Sequence, residues 1–405
     1  MNKLNHRLLL ASIILQPLVN SITGISIKTN LPSIIGPAFF SIIFIYLLIL
    51  LATKLNIASL FTLTITTSLY FVHSMNGNSD ASDIPNYIKL ILPAIIFIYI
   101  KNTKITKPQF EKIKTYIEAS ILIYAVLVII SFLLSYQIQE GKGYFGLIYA
   151  GNDLIALFIL FASMAYWDRF NYKKSFFIVL VAHILTLSKT ILVYPLVFAA
   201  GQLQRSVARS VFSLTLAITI IYFFFEKYLY IYISNFIPNL SSAFDLLDQD
   251  FDDLAKIVTF GRTSYLEDAL SFINSGSFNW LFGVGANGAE SALFGKVGIE
   301  MDFYDALLMY GIFGVFYLTL FYYSLPLLCR NINPLSKIIF LLAITYSFFG
   351  GHFYNNPMVG FYYGLFIGLA YNRSLNFNTI KAMNSISINP SSTPQRNDKD
   401  SAYYQ

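Results

Sequence analysis

A small set of side chains in this 405-residue chain could hold a charged leaving group or move a proton. Lys189, in Leu187-Ser188-Lys189-Thr190, is a cation inside an apolar stretch. Such a lysine either snorkels to the membrane rim or holds an anionic head group or diphosphate. Arg262, in Gly261-Arg262-Thr263, heads an amphipathic helix predicted over 264–272. Beside a helix N-terminus an arginine offers forked donors, and the free backbone amides add more for phosphate oxygens. The alternative is an ion pair with Glu267 or Asp268. Glu300, Asp302 and Asp305 cluster before Gly311 and Gly314. Asp302 and Asp305, three apart, share a helix face, where they either complement the helix dipole or take a proton from a hydroxyl. His352, in Gly350-Gly351-His352-Phe353, is a second proton carrier or a hydrogen-bonded structural residue.

Other motifs carry less. Gly283-Val284-Gly285-Ala286-Asn287-Gly288 has the letters of a dinucleotide loop without the strand–helix–strand context, so it reads as a turn that brings the backbone close to a ligand or to the membrane surface. Asp248-Gln249-Asp250-Phe251-Asp252-Asp253 resembles a calcium loop, but Asp253 stands where glycine is needed and Thr259 where a glutamate is needed. No metal site follows, and the single Cys329 excludes an internal disulfide or a cysteine-based cluster. No nucleophile elbow, HExxH or P-loop is present, and no cofactor is expected.

The elements that position these residues are membrane helices. Charged residues make up 12% of the chain against about 25% in a soluble domain, and hydrophobic residues 56%, which excludes an ordinary water-soluble enzyme. Apolar spans fall at 8–24, 32–53, 55–75, 84–100, 116–136, 153–167, 175–188, 190–204, 210–226, 303–328, 337–351 and 357–372. They predict an all-α, polytopic integral membrane bundle of about 12 transmembrane helices, since backbone amides in lipid must be satisfied within helices or closed barrels. Pro17 kinks the first, uncleaved helix.

Of the 27 Lys and Arg, 19 fall on one set of connections, which places that set and both termini in the cytoplasm. Sidedness accounts for the net charge of +6 better than a nucleic-acid partner does. The expected organisation is nine helices over 1–226, one large acidic periplasmic loop over 227–302 carrying short helices against the membrane near 278–284, three further helices over 303–372, and a disordered cytoplasmic tail over 373–405. No solenoid repeat and no inverted repeat of broken helices is visible.

With these residues in order, the chain resembles the O-antigen polymerase (Wzy-type) family, within the lipid-linked glycan polymerases and O-antigen ligases. The resemblance rests on the helix count and large outer loop, on Leu187-Ser188-Lys189-Thr190, on Gly261-Arg262 followed by Trp280-Leu281-Phe282-Gly283-Val284-Gly285, on Glu300-Met301-Asp302-Phe303-Tyr304-Asp305 running to Gly311 and Gly314, and on Gly351-His352. Lys189 stands where many members carry Arg, and Glu300-Met301-Asp302 stands where ligases usually place a His-Asn pair, which favours polymerase over ligase.

The resemblance implies a GT-C-like fold in the inner membrane and a metal-independent glycosyl transfer at its periplasmic face. Donor and acceptor are undecaprenyl-diphosphate-linked oligosaccharides, and the partners are the bilayer and a chain-length regulator (Wzz-type). Arg262 and Lys189 would hold the diphosphate, and Glu300 or Asp302 would activate the acceptor hydroxyl, with Asp305 and His352 as supporting or alternative bases. The other readings are an O-antigen ligase acting on lipid A core and a flippase or other transporter; the long outer loop with Arg262 argues against the latter.

Overall fold

A computed structural model describes residues 3–52, 64, 83–138, 143–149, 151–167, 173–186, 262–276, 278–293, 298–299, 301–320, 347, 351, 353 and 356–371. The expected spans at 190–204 and 210–226, those at 55–75 and 337–351 apart from residues 64, 347 and 351, the expected outer loop before 262, and the tail lie outside the described residues. So do Lys189, Glu300 and His352.

The described elements are α1 (Lys3–Lys28), α2 (Ile35–Ala52), α3 (Asp83–Asn102), α4 (Lys107–Leu133), α5 (Gly151–Trp167), α6 (Lys173–Leu185), α7 (Arg262–Asn274), α8 (Asn279–Phe282), α9 (Gly285–Ala292), α10 (Asp302–Leu318) and α11 (Pro357–Tyr371). No strand occurs among the described residues. The chain is all-α here, and α1, α2, α3 from Ile84, and α4 are each long and apolar enough to cross a membrane. α4 begins nine residues before the expected 116, because Thr106, Pro108 and Gln109 build a polar first turn ahead of the apolar run. The Gln109 side chain accepts from the Thr106 amide at 3.1 Å.

Burial divides the helices into two classes. α3 is buried from Leu90 to Ile100, α5 from Leu154 to Ser163, and α11 from Met358 to Ala370. Apolar on every side, they form the middle of the bundle. By contrast α1, α2 and α4 leave outward stripes such as Ile42, Ile45 and Ile49, or Ile123, Val126, Ile130 and Leu133. In water such stripes would be an association hazard, whereas against lipid tails they are the expected surface.

Contacts between these helices fix their directions. Ser120 of α4 meets Ile13, Tyr124 meets Asn20 and Gln137 meets Lys28, so α1 and α4 run parallel. That gathers Lys3 and Arg7 with Lys107 and Lys112 at one end, where His6 lies beside Gln109 and Lys112. α2 runs back, with Tyr46 donating to Asn5 Oδ1 at 3.0 Å near that end and Gly36 against Thr23 near the other. Lys101, at the end of α3, lies 5.1 Å from the centre of the Tyr371 ring of α11. Lys3 and Arg7 of α1, Lys101 of α3 and Lys107 and Lys112 of α4 thus collect at one end of the bundle, while Lys28 and Lys89 lie toward the other, which the starts of α2, α3, α5 and α11 share.

Two prolines shape the middle. Pro17 cannot donate to the Ile13 carbonyl four residues back, which would be left bare in an apolar interior. Ser120 donates to that oxygen at 2.9 Å, and the Tyr362 hydroxyl lies 3.3 Å from it and 2.6 Å from Ser120 Oγ. In α3, Pro93 faces Gly360 and Gly364 of α11, and Ile100 faces Gly368. Glycines four apart let two backbones approach closely, the usual device for helix association in lipid.

A Cβ at Gly364 would stand 2.3 Å from the Pro93 carbonyl oxygen, whereas one at Gly360 meets only the Pro93 ring at 2.8 Å. Gly364→Val is therefore expected to lower the melting temperature of the detergent-solubilised protein, at about 1–3 kcal/mol for overpacking, and Gly360→Ala by less. Equal melting curves for the two variants would count against this packing.

Candidate functional site

The start of α10 ties together segments far apart in sequence. Met301 is extended, and Asp302 and Asp305 fall in the first helical turn, both buried. Their carboxylates reach beyond the helix. Asp305 Oδ1 accepts from the Ile299 amide at 2.5 Å, and Asp302 Oδ2 accepts from the Phe353 amide at 2.8 Å. Ile299 directly precedes Glu300 and Phe353 directly follows His352, so each aspartate grips the amide next to another of the expected site residues. Hydrogen bonds from backbone amides to a buried carboxylate are charge-assisted and strong.

The described residues of 262–293 pack over the same helix. Arg262 opens α7, as the expected helix at 264–272 requires, though its side chain lies outside the described residues. The expected short helices appear at α8 and α9, with Phe278, Trp280 and Leu281 exposed. Phe282 stacks between Phe278 and Phe313.

The glycine turn that begins at Gly283 packs on the backbone of α10. Gly283 (φ 74, ψ −175) and Gly311 (φ 65, ψ −159) sit where the two segments cross. α10 breaks at Gly311, so the Leu308 carbonyl loses the regular helical donor at Ile312. It accepts instead from the Val284 amide at 2.8 Å.

Beside this cluster, at the end away from Lys3, Arg7, Lys101 and Lys107, α1, α2, α3, α5 and α11 line a half-open cavity of about 290 Å3. Asn356 builds one wall. Its side-chain oxygen accepts from the Met358 amide at 2.7 Å and caps α11, with Pro357 in the favoured first position. Its amide group donates to Asp153 Oδ2, in the first turn of α5. Opposite, Lys89 of α3 donates to Asn86 Oδ1 at 2.9 Å and feels the Asp153 charge across the cavity. Segment 351–358 thus touches both places: Phe353 binds Asp302, and Asn356 binds Asp153.

Of the sequence-derived residues, the structure brings Asp302 and Asp305 together beside positions 299 and 353. Lys89, Asp153 and Asn356 were missed. Their signals were present as two ionisable residues near the ends of apolar spans and an Asn-Pro helix start. Among the described residues no group of three His, Cys, Asp or Glu could hold a metal ion. Comparison of the chain with known protein families, with characterised proteins and with solved structures finds no match.

Proposed function

We propose that this chain is a polysaccharide polymerase that transfers an undecaprenyl-diphosphate-linked glycan onto a lipid-linked repeat unit at the periplasmic face of the inner membrane. One observation carries most weight. The stretches quoted for the family resemblance, 280–285, 300–305 and 351–352, meet around the first turns of α10 through Val284, through Asp302 and Asp305, and through the neighbouring residues Ile299 and Phe353. They do so at the end of the bundle opposite the lysine-rich end, which on the positive-inside rule is the outer one.

In this reading an acceptor hydroxyl attacks the anomeric carbon of the donor sugar, the hydroxyl proton passes to a carboxylate or imidazole, and the lipid diphosphate departs with the glycosidic electron pair. Arg262 and Lys189 stabilise the diphosphate, because preorganised cations act most strongly where water is excluded. Asp302 and Asp305, engaged with backbone amides, hold the segments that carry His352 and Glu300, and these two are then the proton acceptors.

Deleting the gene tests the reading by its product. Surface glycan should shrink to a single repeat unit, because ligation of single units persists without polymerisation. Loss of all attached glycan with accumulation of long lipid-linked chains would assign a ligase instead, and an unchanged glycan ladder would remove both.

A further inference from the structure

The cavity between α1, α2, α3, α5 and α11 has a lining that selects its ligand. Among the described residues that line it, the charged side chains are Lys89 and Asp153, one of each sign, so these walls carry no net charge. A diphosphate or a phospholipid head group would gain from Lys89 and be repelled by Asp153. An uncharged, hydroxyl-rich ring can use both, since its hydroxyls donate to the carboxylate and its oxygens accept from the ammonium. The remaining surface is mostly apolar, with the aromatic side chains Phe40 and Tyr149 in its lining. At about 290 Å3 the space lies at the lower end of small-molecule sites, which run from about 300 to 1,000 Å3. Few converging polar groups in an apolar hollow is the general form of a binding site.

Asp153 is also held in place, since the amide that binds it belongs to the residue capping α11. A carboxylate fixed in this way presents its oxygens in one direction and loses little freedom on meeting a ligand. Lys89 is anchored likewise through Asn86 on its own helix.

We infer that this cavity is a subsite for an uncharged sugar ring, with Lys89 and Asp153 as its contacting residues, separate from the residues assigned to diphosphate. The inference deepens the polymerase reading by placing glycan recognition beside Asp302, and its chemistry stands without that reading.

The test uses the full chain in lipid nanodiscs with two photoreactive probes, a diazirine-bearing methyl hexoside and the matching methyl N-acetylhexosaminide. Labelling should fall on peptides containing Ile27, Ile88 or Met358, which line the cavity, and not on the outward stripe at Ile42. Excess unlabelled glycoside should suppress it and inorganic pyrophosphate should not. Asp153→Asn and Lys89→Gln should each reduce labelling roughly tenfold.

Labelling spread over the lipid-facing stripe, suppression by pyrophosphate, or full labelling of both charge variants in folded protein would each overturn the subsite. If a charge variant fails to fold, the position of labelling and the competition in the unaltered chain decide alone. Cavity labelling with an unchanged glycan ladder on deletion would keep the subsite and remove the polymerase. A collapsed ladder with no cavity labelling would do the reverse.

Discussion

Gly283→Ala and Gly311→Ala are expected to abolish accumulation of folded protein. Both residues adopt φ and ψ values that only glycine occupies readily, at a cost of about 1–3 kcal/mol for any other residue. Space compounds the strain. A Cβ at Gly283 would stand 2.3 Å from the Met309 carbonyl group, and one at Gly311 would stand 2.4 Å from that of Leu281. These are backbone atoms in each other's paths, and no side-chain rotation relieves them. Overpacking adds about 1–3 kcal/mol, so each substitution costs several kcal/mol in all, a large share of an ordinary domain's stability. Fluorescence-detected size-exclusion chromatography of tagged variants reads the result. A monodisperse, wild-type-like peak from either variant would show that the crossing of α8 and α10 is not built as described.

Arg262→Ala should abolish long polymer at normal protein level, and Arg262→Lys should be partly active, because lysine keeps the charge but cannot form paired planar bonds. Loss of a charged donor aimed at the transition state costs about 3 kcal/mol, roughly a hundredfold in rate, enough to collapse a long glycan ladder to short products. Arg262 is the first residue of α7, with Glu267 exposed and Asp268 half-buried further along the same helix. An arginine serving only an ion pair with either would be worth about 1 kcal/mol or less, and its loss would barely alter chain length. The comparison is therefore Arg262→Ala beside Glu267→Ala combined with Asp268→Ala, read by glycan ladder and immunoblot. Wild-type ladders from Arg262→Ala would remove it from the mechanism and leave Lys189 and His352 to carry the site.

Apolar spans were legible because lipid imposes a length and a composition that no tertiary context can override: α1, α2, α3, α5 and α11 each lie over an expected span. The start of α4 was less so. Its capping residues are polar and disappear from any scan for hydrophobicity, although Thr106-Lys107-Pro108-Gln109 is a readable helix start.

The twin glycines showed that a backbone had to come close, but not which one. The packing of Gly283 on α10 is not legible locally, because the partner segment with Gly311 lies on another element and nothing local links the two. The cavity was hidden for the same reason. Lys89, Asp153 and Asn356 gain their meaning from one another, and each sits on a different helix. Asp302 and Asp305 were recognised as a pair, yet their partners at 299 and 353 follow from the path of the chain rather than from spacing.

The proline in the first helix has a consequence for how the protein is assembled. When α1 enters the bilayer it carries an acceptor at Ile13 that nothing on α1 can satisfy, and lipid offers no water in exchange. Ser120 arrives about a hundred residues later in synthesis, and Tyr362 only with the last described helix. Among the described helices the first is thus joined to the last, like a clasp joining the two ends of a belt. A chain that stops short of α11 keeps the Ser120 bond to this oxygen but lacks the Tyr362 hydroxyl that joins both, so unfinished copies differ from finished ones at the centre of the bundle before any catalysis is attempted.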